Sequence, residues 1–222
     1  MTSVLDDLGI HLGTSDHEAR VVRATAVSVS VDVATFELSG PDGRTHEAIA
    51  PATEFYPDRQ WQVGETYHMI EIAGGSRPML SVVRNELVTA LMAGYVPEVR
   101  DGSVRIMGMV RLPGVRSKVA VASTREGLDA IAACVGRRAN RVRGVSEALM
   151  GERVDVIAWH PDQKRYLMNA LAPAQVERVE IDGMAAYAYA PSHQMASAVG
   201  QGGLNSSLAG RLAGVKVAIK PA

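Results

Sequence analysis

Several residue types are scarce in this chain of 222 residues, and each scarcity excludes a class of protein. The single cysteine, Cys134, excludes a disulfide framework within the chain and is typical of a reducing compartment. No run of about 18 apolar residues occurs, so the sequence predicts no membrane-spanning helix. The N-terminus is acidic and has no apolar segment of the kind that a secretory signal requires. We therefore expect a soluble, cytoplasmic protein.

Patterns that indicate catalysis or metal binding are also missing. The chain has no P-loop, no nucleophile elbow and no paired carboxylates in a recognisable setting. Cys134 falls in an apolar helical segment, where core packing is a better interpretation than nucleophilic attack. None of the histidines shows the spacing of metal ligands: His11, His17, His46, His68, His160 and His193. The sequence predicts no enzyme, no metal and no cofactor.

Aromatic residues make up only 5% of the chain. Five of them lie between residues 20 and 84, where they either form a platform on which bases stack or pack the core: Phe36, Phe55, Tyr56, Trp61 and Tyr67. Packing is the favoured interpretation for most of them.

The charge is unevenly distributed, although the net charge is only −1. Residues 1–98 carry a net charge of −8, and residues 99–146 carry a net charge of +7. The charges of residues 147–222 cancel. A basic segment of this kind is the usual electrostatic signature of phosphate binding, and a solvated basic face is the alternative.

Residues 20–84 have the pattern of a small β domain. Alternating and β-branched stretches predict five short strands, at residues 20–33, 36–38, 45–50, 67–72 and 79–83. Turn signals at residues 39–43 and 74–75 separate them. Five strands in this length are typical of a closed OB-type barrel. Residues 1–19 are predicted to form a short helix or a loose tail.

The remainder of the chain contains an internal repeat. The order helix, strand, strand, helix, loop, helix, strand occurs in residues 85–159 and again in residues 160–222. The first loop is Gly136, Arg137, Arg138 and Ala139, and the second, 64 positions later, is Gly200, Gln201, Gly202 and Gly203. The link between the two repeats is only about three residues, so we expect one rigid body.

Each loop precedes a helix, where free N–H groups and the helix dipole favour an anion such as phosphate. Arg137, Arg138, Arg141 and Arg143 add positive charge around the first loop, and arginine also stacks on bases. A structural turn between two helices is the alternative for both loops. Asn140 and Asn205 are predicted helix N-caps, and Asn205 is also a candidate RNA contact.

A helix–Gly-x-x-Gly–helix beside a three-stranded sheet is the KH arrangement, here in its bacterial, type II order. The chain from about residue 80 resembles the KH region of the NusA family of bacterial transcription factors. The resemblance is carried by residues 96–102, 111–121, 133–136, 151–159, 169–174 and 200–209. Residues 49–51, Tyr56, Gly64, Leu80 and Ser81 resemble the S1 domain of that family more weakly. The resemblance also implies that Arg111, Arg116 and Lys118 lie near the RNA groove, with solubility as their alternative role.

Three features differ from the family pattern. Only some 19 residues precede the barrel, so the sequence predicts a chain without the family's N-terminal polymerase-binding domain. In the first loop the last glycine is replaced by Ala139, whose methyl group disfavours a positive φ. In the second loop Leu204 stands where the family has glutamine, and the loop has no basic residue.

We therefore predict an α+β protein with a tail (1–19), an S1-like OB barrel (20–84) and two tandem type II KH domains (85–159 and 160–222). The resemblance implies binding of single-stranded RNA during transcription elongation, termination or antitermination, with RNA polymerase or other transcription factors as further partners. The alternative is a protein-interaction adaptor that docks on polymerase, ribosome or another factor and retains only vestigial RNA binding. The acidic first half and the two incomplete loops favour this alternative.

Overall fold

A computed structural model of the chain describes residues 21–39, 45–72 and 77–222. The predicted tail, the predicted turn at residues 74–75 and all but Ser39 of the predicted turn at residues 39–43 lie outside these ranges. No helix among the described residues is long and apolar enough to cross a membrane.

The β domain is a closed five-stranded barrel. Its strands are β1 (Val21–Val29), β2 (Val33–Ser39), β3 (Thr45–Pro51), β4 (Thr66–Ile72) and β5 (Met79–Ser81). They are hydrogen-bonded in the order β1-β2-β3-β5-β4, and β4 pairs back onto β1. Closure removes the exposed edges that an open sheet of this size would present. The predicted OB-type barrel is confirmed.

The β domain buries the five aromatic residues for which core packing and base stacking are the two interpretations. Phe36, Phe55, Tyr56, Trp61 and Tyr67 are all buried. The Phe55 and Trp61 rings stack with centroids 3.6 Å apart, and Phe36 contacts Trp61 edge-on at 4.9 Å. Because these rings pack on one another, the interpretation as core residues is correct and no stacking platform is formed.

The chain divides into two compact units. Of the described residues, the first contains those between 21 and 97 together with the turn Pro113–Val115 and the segment Asn140–Arg153. The second contains Glu98–Leu112, Arg116–Ala139 and Val154–Ala222.

The first repeat contains a three-stranded sheet in the order β6-β7-β8. Its elements are α1 (Asn85–Tyr95), α2 (Pro97–Arg100), β6 (Val104–Leu112), β7 (Arg116–Ser123), α3 (Ala130–Val135), α4 (Asn140–Ala148) and β8 (Arg153–Ala158). The short α2 begins with a proline. Proline is favourable at the first position of a helix because its missing N–H has no partner to lose there, and Pro97 occupies that position.

The second repeat has the same order without an equivalent of α2. It consists of α5 (Gln163–Ala170), β9 (Arg178–Asp182), β10 (Ala185–Ala190), α6 (Met195–Val199), α7 (Leu204–Ala213) and β11 (Lys216–Pro221). In its sheet, β10 pairs antiparallel with β9 and parallel with β11. Asp162 caps α5 by accepting a hydrogen bond from the Arg165 N–H at 3.0 Å. The element order predicted for both KH domains is confirmed.

Within the second unit, residues of both repeats share one hydrophobic core. Ala120 and Ile157 of the first sheet belong to the same buried cluster as Leu167, Leu171 and Ala209 of the second repeat. Further, the Gln163 side-chain amide donates to the Ala213 carbonyl at 2.9 Å. A shared core resists relative motion of those parts of the two repeats that lie in this unit.

Candidate nucleic-acid interface

The two loops have the same backbone conformation, although their sequences differ. Gly136 and Gly200 end α3 and α6 with (φ, ψ) of (74°, 174°) and (76°, 166°). Two residues later, Arg138 and Gly202 both adopt left-handed values, (50°, 33°) and (57°, 23°). The last loop residue also has a positive φ in each case, 60° at Ala139 and 77° at Gly203.

The internal hydrogen bonds of the loops also correspond. The Gly136 N–H donates to Ala132 at 2.9 Å, and the Gly200 N–H donates to Ala196 at 2.9 Å. The Ala139 N–H then donates to the Gly136 carbonyl, as the Gly203 N–H does to that of Gly200, both at 3.1 Å. The two loops are therefore the same structural motif, present twice in the second unit.

The first glycine of the second loop is required for two reasons. Gly200 has a positive φ, and a Cβ at this position would lie 2.7 Å from both the backbone N and the Cβ of Asn205. Gly202 and Gly203 differ, because a Cβ at either would meet nothing within 4 Å. Only the positive φ restricts these two positions.

Ala139 occupies the position where the second loop has Gly203, and it adopts the glycine-like conformation despite its methyl group. A positive φ for alanine is unfavourable by about 1 kcal/mol or more, because Cβ approaches its own backbone. The rest of the fold must stabilise this conformation. Backbone strain of this kind is concentrated at functional sites, which makes the loop a candidate binding element.

Both loops are accessible. Arg137 and Arg138 are exposed in the first loop, as Gln201 and Gly202 are at the same positions in the second. The first loop therefore presents two guanidinium groups where the second has none. Helix α4 follows the first loop and belongs to the other unit. Asn140 is its first residue, so the prediction that Asn140 is the N-cap is wrong. In the same helix Arg143 is exposed and Arg141 is half-buried.

The prediction for Asn205 is wrong in both of its parts. Helix α7 begins at Leu204 and its N-cap is Gly203, so Asn205 lies inside the helix. Its side chain is only 1% exposed and donates through Nδ2 to the carbonyls of Leu171 (2.9 Å), Ala198 (3.2 Å) and Ser197 (3.3 Å). A buried amide in this position connects the helices around the loop and is not accessible to RNA.

Arg116 and Lys118 are also corrected, because both cations are buried and not available to a phosphate. Arg116 donates through Nε to Asp155 Oδ2 at 2.6 Å. Lys118, fully buried, has its Nζ 3.3 Å from the same Oδ2 and donates to the Ala172 carbonyl at 3.1 Å. Two cations on β7 thus share one carboxylate on β8. Lys118 also links the first sheet to the segment that follows α5.

Arg111, on β6, is the third buried cation among the predicted RNA contacts, with 5% of its surface exposed. For Arg116 and Lys118 the sequence itself contains a signal of burial. Asp155 stands between Val154 and Val156 in a short apolar strand, and a carboxylate there indicates a buried cationic partner.

No group of three or more potential metal ligands occurs in the described ranges.

The fold and the repeated loop define a class of protein: an OB-type barrel followed by two tandem type II KH domains. Residues 83–159 match the family model described as the NusA-like first KH domain, and residues 163–222 match that of the NusA-like second KH domain. The chain therefore belongs to the NusA family, because both of its KH domains match models of that family.

Two curated relatives show the extent of the similarity. The Transcription termination/antitermination protein NusA of Mycobacterium tuberculosis is 36% identical over 189 residues, covering 82% of this chain and 54% of that protein. The protein of the same name from Thermus thermophilus is 36% identical over 178 residues, covering 77% and 46%. The chain therefore spans about half the length of the curated relatives it matches. A solved structure, "Crystal structure of APE1850", covers 60% of this chain and 95% of its own, with 19% identity and a TM-score of 0.44.

Proposed function

We propose that this protein binds single-stranded RNA through the loops at residues 136–139 and 200–203, and that it thereby modulates transcription elongation, termination or antitermination. The observation that carries the proposal is the repeated loop conformation, which Ala139 retains despite the strain on its backbone. The names of the relatives support the role in termination and antitermination. Such a factor acts in the bacterial cytoplasm, with RNA polymerase or other transcription factors as its further partners.

The proposed function is binding without catalysis, and each of the two loops makes its own kind of contact with RNA. Each KH groove takes roughly four nucleotides, so the pair would hold about eight. Arg137 and Arg138 would bind phosphates at the first loop. At the second loop the backbone is the main contact, since Gln201, Gly202 and Gly203 offer no charge and little steric hindrance.

A titration of labelled single-stranded RNA at low and moderate salt tests the proposal, with Gly202 as the position to vary. Gly202→Arg reproduces the residue that the first loop has at this position, and Gly202→Asp introduces the opposite charge on a similar backbone. Because a Cβ at Gly202 meets no atom within 4 Å, neither variant introduces a steric clash, and the two differ mainly in the charge and length of the side chain.

We expect Gly202→Arg to bind RNA about tenfold more tightly than Gly202→Asp at low salt. Relative to the unaltered protein, Gly202→Arg should also steepen the slope of log affinity against log salt by about 0.7, because the new guanidinium neutralises one further phosphate. Equal affinities of the two variants would show that the second loop does not contact RNA. If the unaltered protein binds no RNA at low salt, the proposed function is wrong.

The second candidate is an adaptor that binds another protein, and the charge distribution favours it. Residues 1–98 carry a net charge of −8, which complements a basic protein surface better than RNA. In this case purified polymerase or ribosomes would bind the chain with an affinity that neither Gly202 variant changes. Tight protein binding together with absent RNA binding would decide for the adaptor.

A further inference from the structure

The outer face of the second sheet presents two tyrosines between charged residues. On β10 the alanines at 186, 188 and 190 are buried, while Tyr187 and Tyr189 point to the opposite face. The strand register places Glu180 of β9 and Ala218 of β11 opposite Tyr187, and Arg178 and Lys220 opposite Tyr189. At the other end of the face, Asp182 and Lys216 lie opposite Ala185.

Cations lie over the rings of both tyrosines. Lys220 Nζ is 3.8 Å from the centroid of the Tyr187 ring, and Arg178 Cζ is 3.9 Å from that of Tyr189. Both tyrosines are half-buried, and their ring faces already take cationic groups of the neighbouring strands, so a planar or cationic group from outside can bind there only by displacing these cations. Tyr187 and Tyr189 are residues i and i+2 of the same strand, so they lie about 7 Å apart, whereas neighbouring strands are about 4.8 Å apart. The two rings therefore provide two adjacent stacking positions.

The two outer strands of this face differ in charge. The charged residues of β11 are both lysines, Lys216 and Lys220, whereas β9 carries Arg178 together with the acidic residues Glu180 and Asp182. Glu180 is engaged by its neighbours, since its carboxylate lies 3.0 Å from Arg178 Nη1 and accepts a hydrogen bond from the Tyr189 hydroxyl at 3.0 Å. The positive side is thus the β11 edge, directly beside the tyrosines.

The first sheet does not have such a surface. Residues 116–121 of β7 are all buried, and Gly108 of β6 lies against Tyr166 and Leu212 of the second repeat. The corresponding face of the second sheet has exposed charged side chains on β9 and β11 within the described part of the chain. Its composition suits a polar, aromatic and anionic partner and not a further apolar layer.

We infer that this sheet face is a second binding surface for single-stranded RNA, separate from the two glycine loops. Two bases stack on Tyr187 and Tyr189, and the phosphates that join them lie along β11 against Lys216 and Lys220. When a base replaces Lys220 on the Tyr187 ring, Lys220 moves to a phosphate; Arg178 leaves the Tyr189 ring and keeps Glu180 as its partner. Base stacking on the aromatic residues of an open sheet is an established mode of RNA recognition in other folds. The inference goes beyond the proposed function because it requires contacts that the loops do not make.

The test uses the full chain and a fluorescein-labelled oligoadenylate of about 16 nucleotides, longer than the roughly eight that two KH grooves take. Replacing both tyrosines by alanine should weaken binding about tenfold or more, whereas the matched replacement of both by phenylalanine should retain the affinity because the stacking surface remains. Circular dichroism and thermal melting establish that each variant is folded.

A second pair of substitutions tests the surface without altering the rings. Lys216→Gln with Lys220→Gln should lower the slope of log affinity against log salt by about 1.4, because each phosphate that a lysine no longer neutralises accounts for roughly 0.7. Both side chains are exposed, so folding should be unaffected even if the alanine variant is unstable.

The outcomes separate this inference from the proposed function. If the folded tyrosine-to-alanine variant binds as the unaltered protein does, or the lysine variant keeps its full salt slope, while Gly202→Asp weakens binding, the inference is overturned and the face belongs to a protein partner or to solvent. If even the unaltered protein fails to bind the oligonucleotide, the RNA-binding function itself is wrong.

Discussion

Ala139 and Gly203 occupy the same position of the same loop motif, so exchanging the two residue types measures the strain in this loop. In Ala139→Gly the methyl group is removed from a backbone with a φ of 60°, and in Gly203→Ala it is added to one with a φ of 77°. Because a Cβ on Gly203 would meet nothing within 4 Å, the backbone conformation alone determines the cost.

The expected magnitudes follow from two opposing terms. The left-handed conformation costs alanine about 1–2 kcal/mol relative to glycine, and the greater entropy of glycine in the unfolded chain offsets about 0.4–1 kcal/mol of this. Ala139→Gly should therefore stabilise the protein by roughly 0.5–1 kcal/mol, and Gly203→Ala should destabilise it by a similar amount. For a chain of this size the corresponding change in Tm is about 1–4 °C.

Thermal and urea unfolding measure these changes, and Ala132→Gly is a matched control. Ala132 is exposed within α3, one turn before the loop, and has helical geometry, so its replacement by glycine should cost about 1 kcal/mol. Gly200→Ala should cost about 2 kcal/mol or more, because it adds a close approach to Asn205 to the positive φ.

The reasoning would be refuted if Ala139→Gly destabilised the protein as much as Ala132→Gly does. The alanine would then be no more strained than an ordinary helical residue. The same variant tests function, because relief of the strain and a less obstructed backbone should tighten RNA binding by up to about fivefold, equivalent to about 1 kcal/mol. An unchanged affinity would mean that the first loop does not bind RNA.

Three further predictions concern residues outside the loops. Asp155→Asn should destabilise the protein by about 3–5 kcal/mol in urea unfolding, because it leaves Arg116 and Lys118 buried without this counter-charge. Lys118→Met should cost less, about 1–3 kcal/mol. The reverse order of the two costs would contradict the arrangement in which both cations share one carboxylate. Asn205→Ala should cost about 1–3 kcal/mol through the carbonyls that lose their donor, and the salt slope of RNA binding should not change; a lower slope would indicate that Asn205 contacts RNA after all. In the barrel, burial of Glu54 opposes ionisation, but hydrogen bonds from Arg84 and Ser81 outweigh it and hold the pKa of Glu54 below its ordinary value. The ionised form therefore stabilises the fold above the ordinary pKa of about 4.5, and this stability is lost as the pH falls through the lowered pKa; Glu54→Gln should remove this part of the acid dependence in urea unfolding, and an identical pH profile would refute the assignment.

Periodicity and turn residues predicted most of the fold because they act locally along the chain. The strands predicted at residues 45–50 and 67–72 match β3 (Thr45–Pro51) and β4 (Thr66–Ile72) to within one residue at each end. The positions of both loops followed from glycines beside short apolar helices. Boundaries were less accurate where capping decides them, as at α7, which begins at Leu204 and not at Asn205.

The roles of individual polar side chains depended on contacts between distant parts of the chain. Lys118 and Asp155 are 37 residues apart, and Asn205 donates to a carbonyl 34 residues away. The number of cations in a segment cannot reveal such partners, so the sequence predicted RNA contacts where the structure has buried ion pairs.

The sequence by itself thus determined the order of the elements, the barrel and the twin glycine loops, since short-range patterns encode all three. Only the tertiary structure decided which cations remain accessible, and that Ala139 adopts a glycine conformation. These properties arise because packing and the geometry of the neighbouring elements, and not residue type, determine the exposure of a side chain and the backbone angles of a constrained turn.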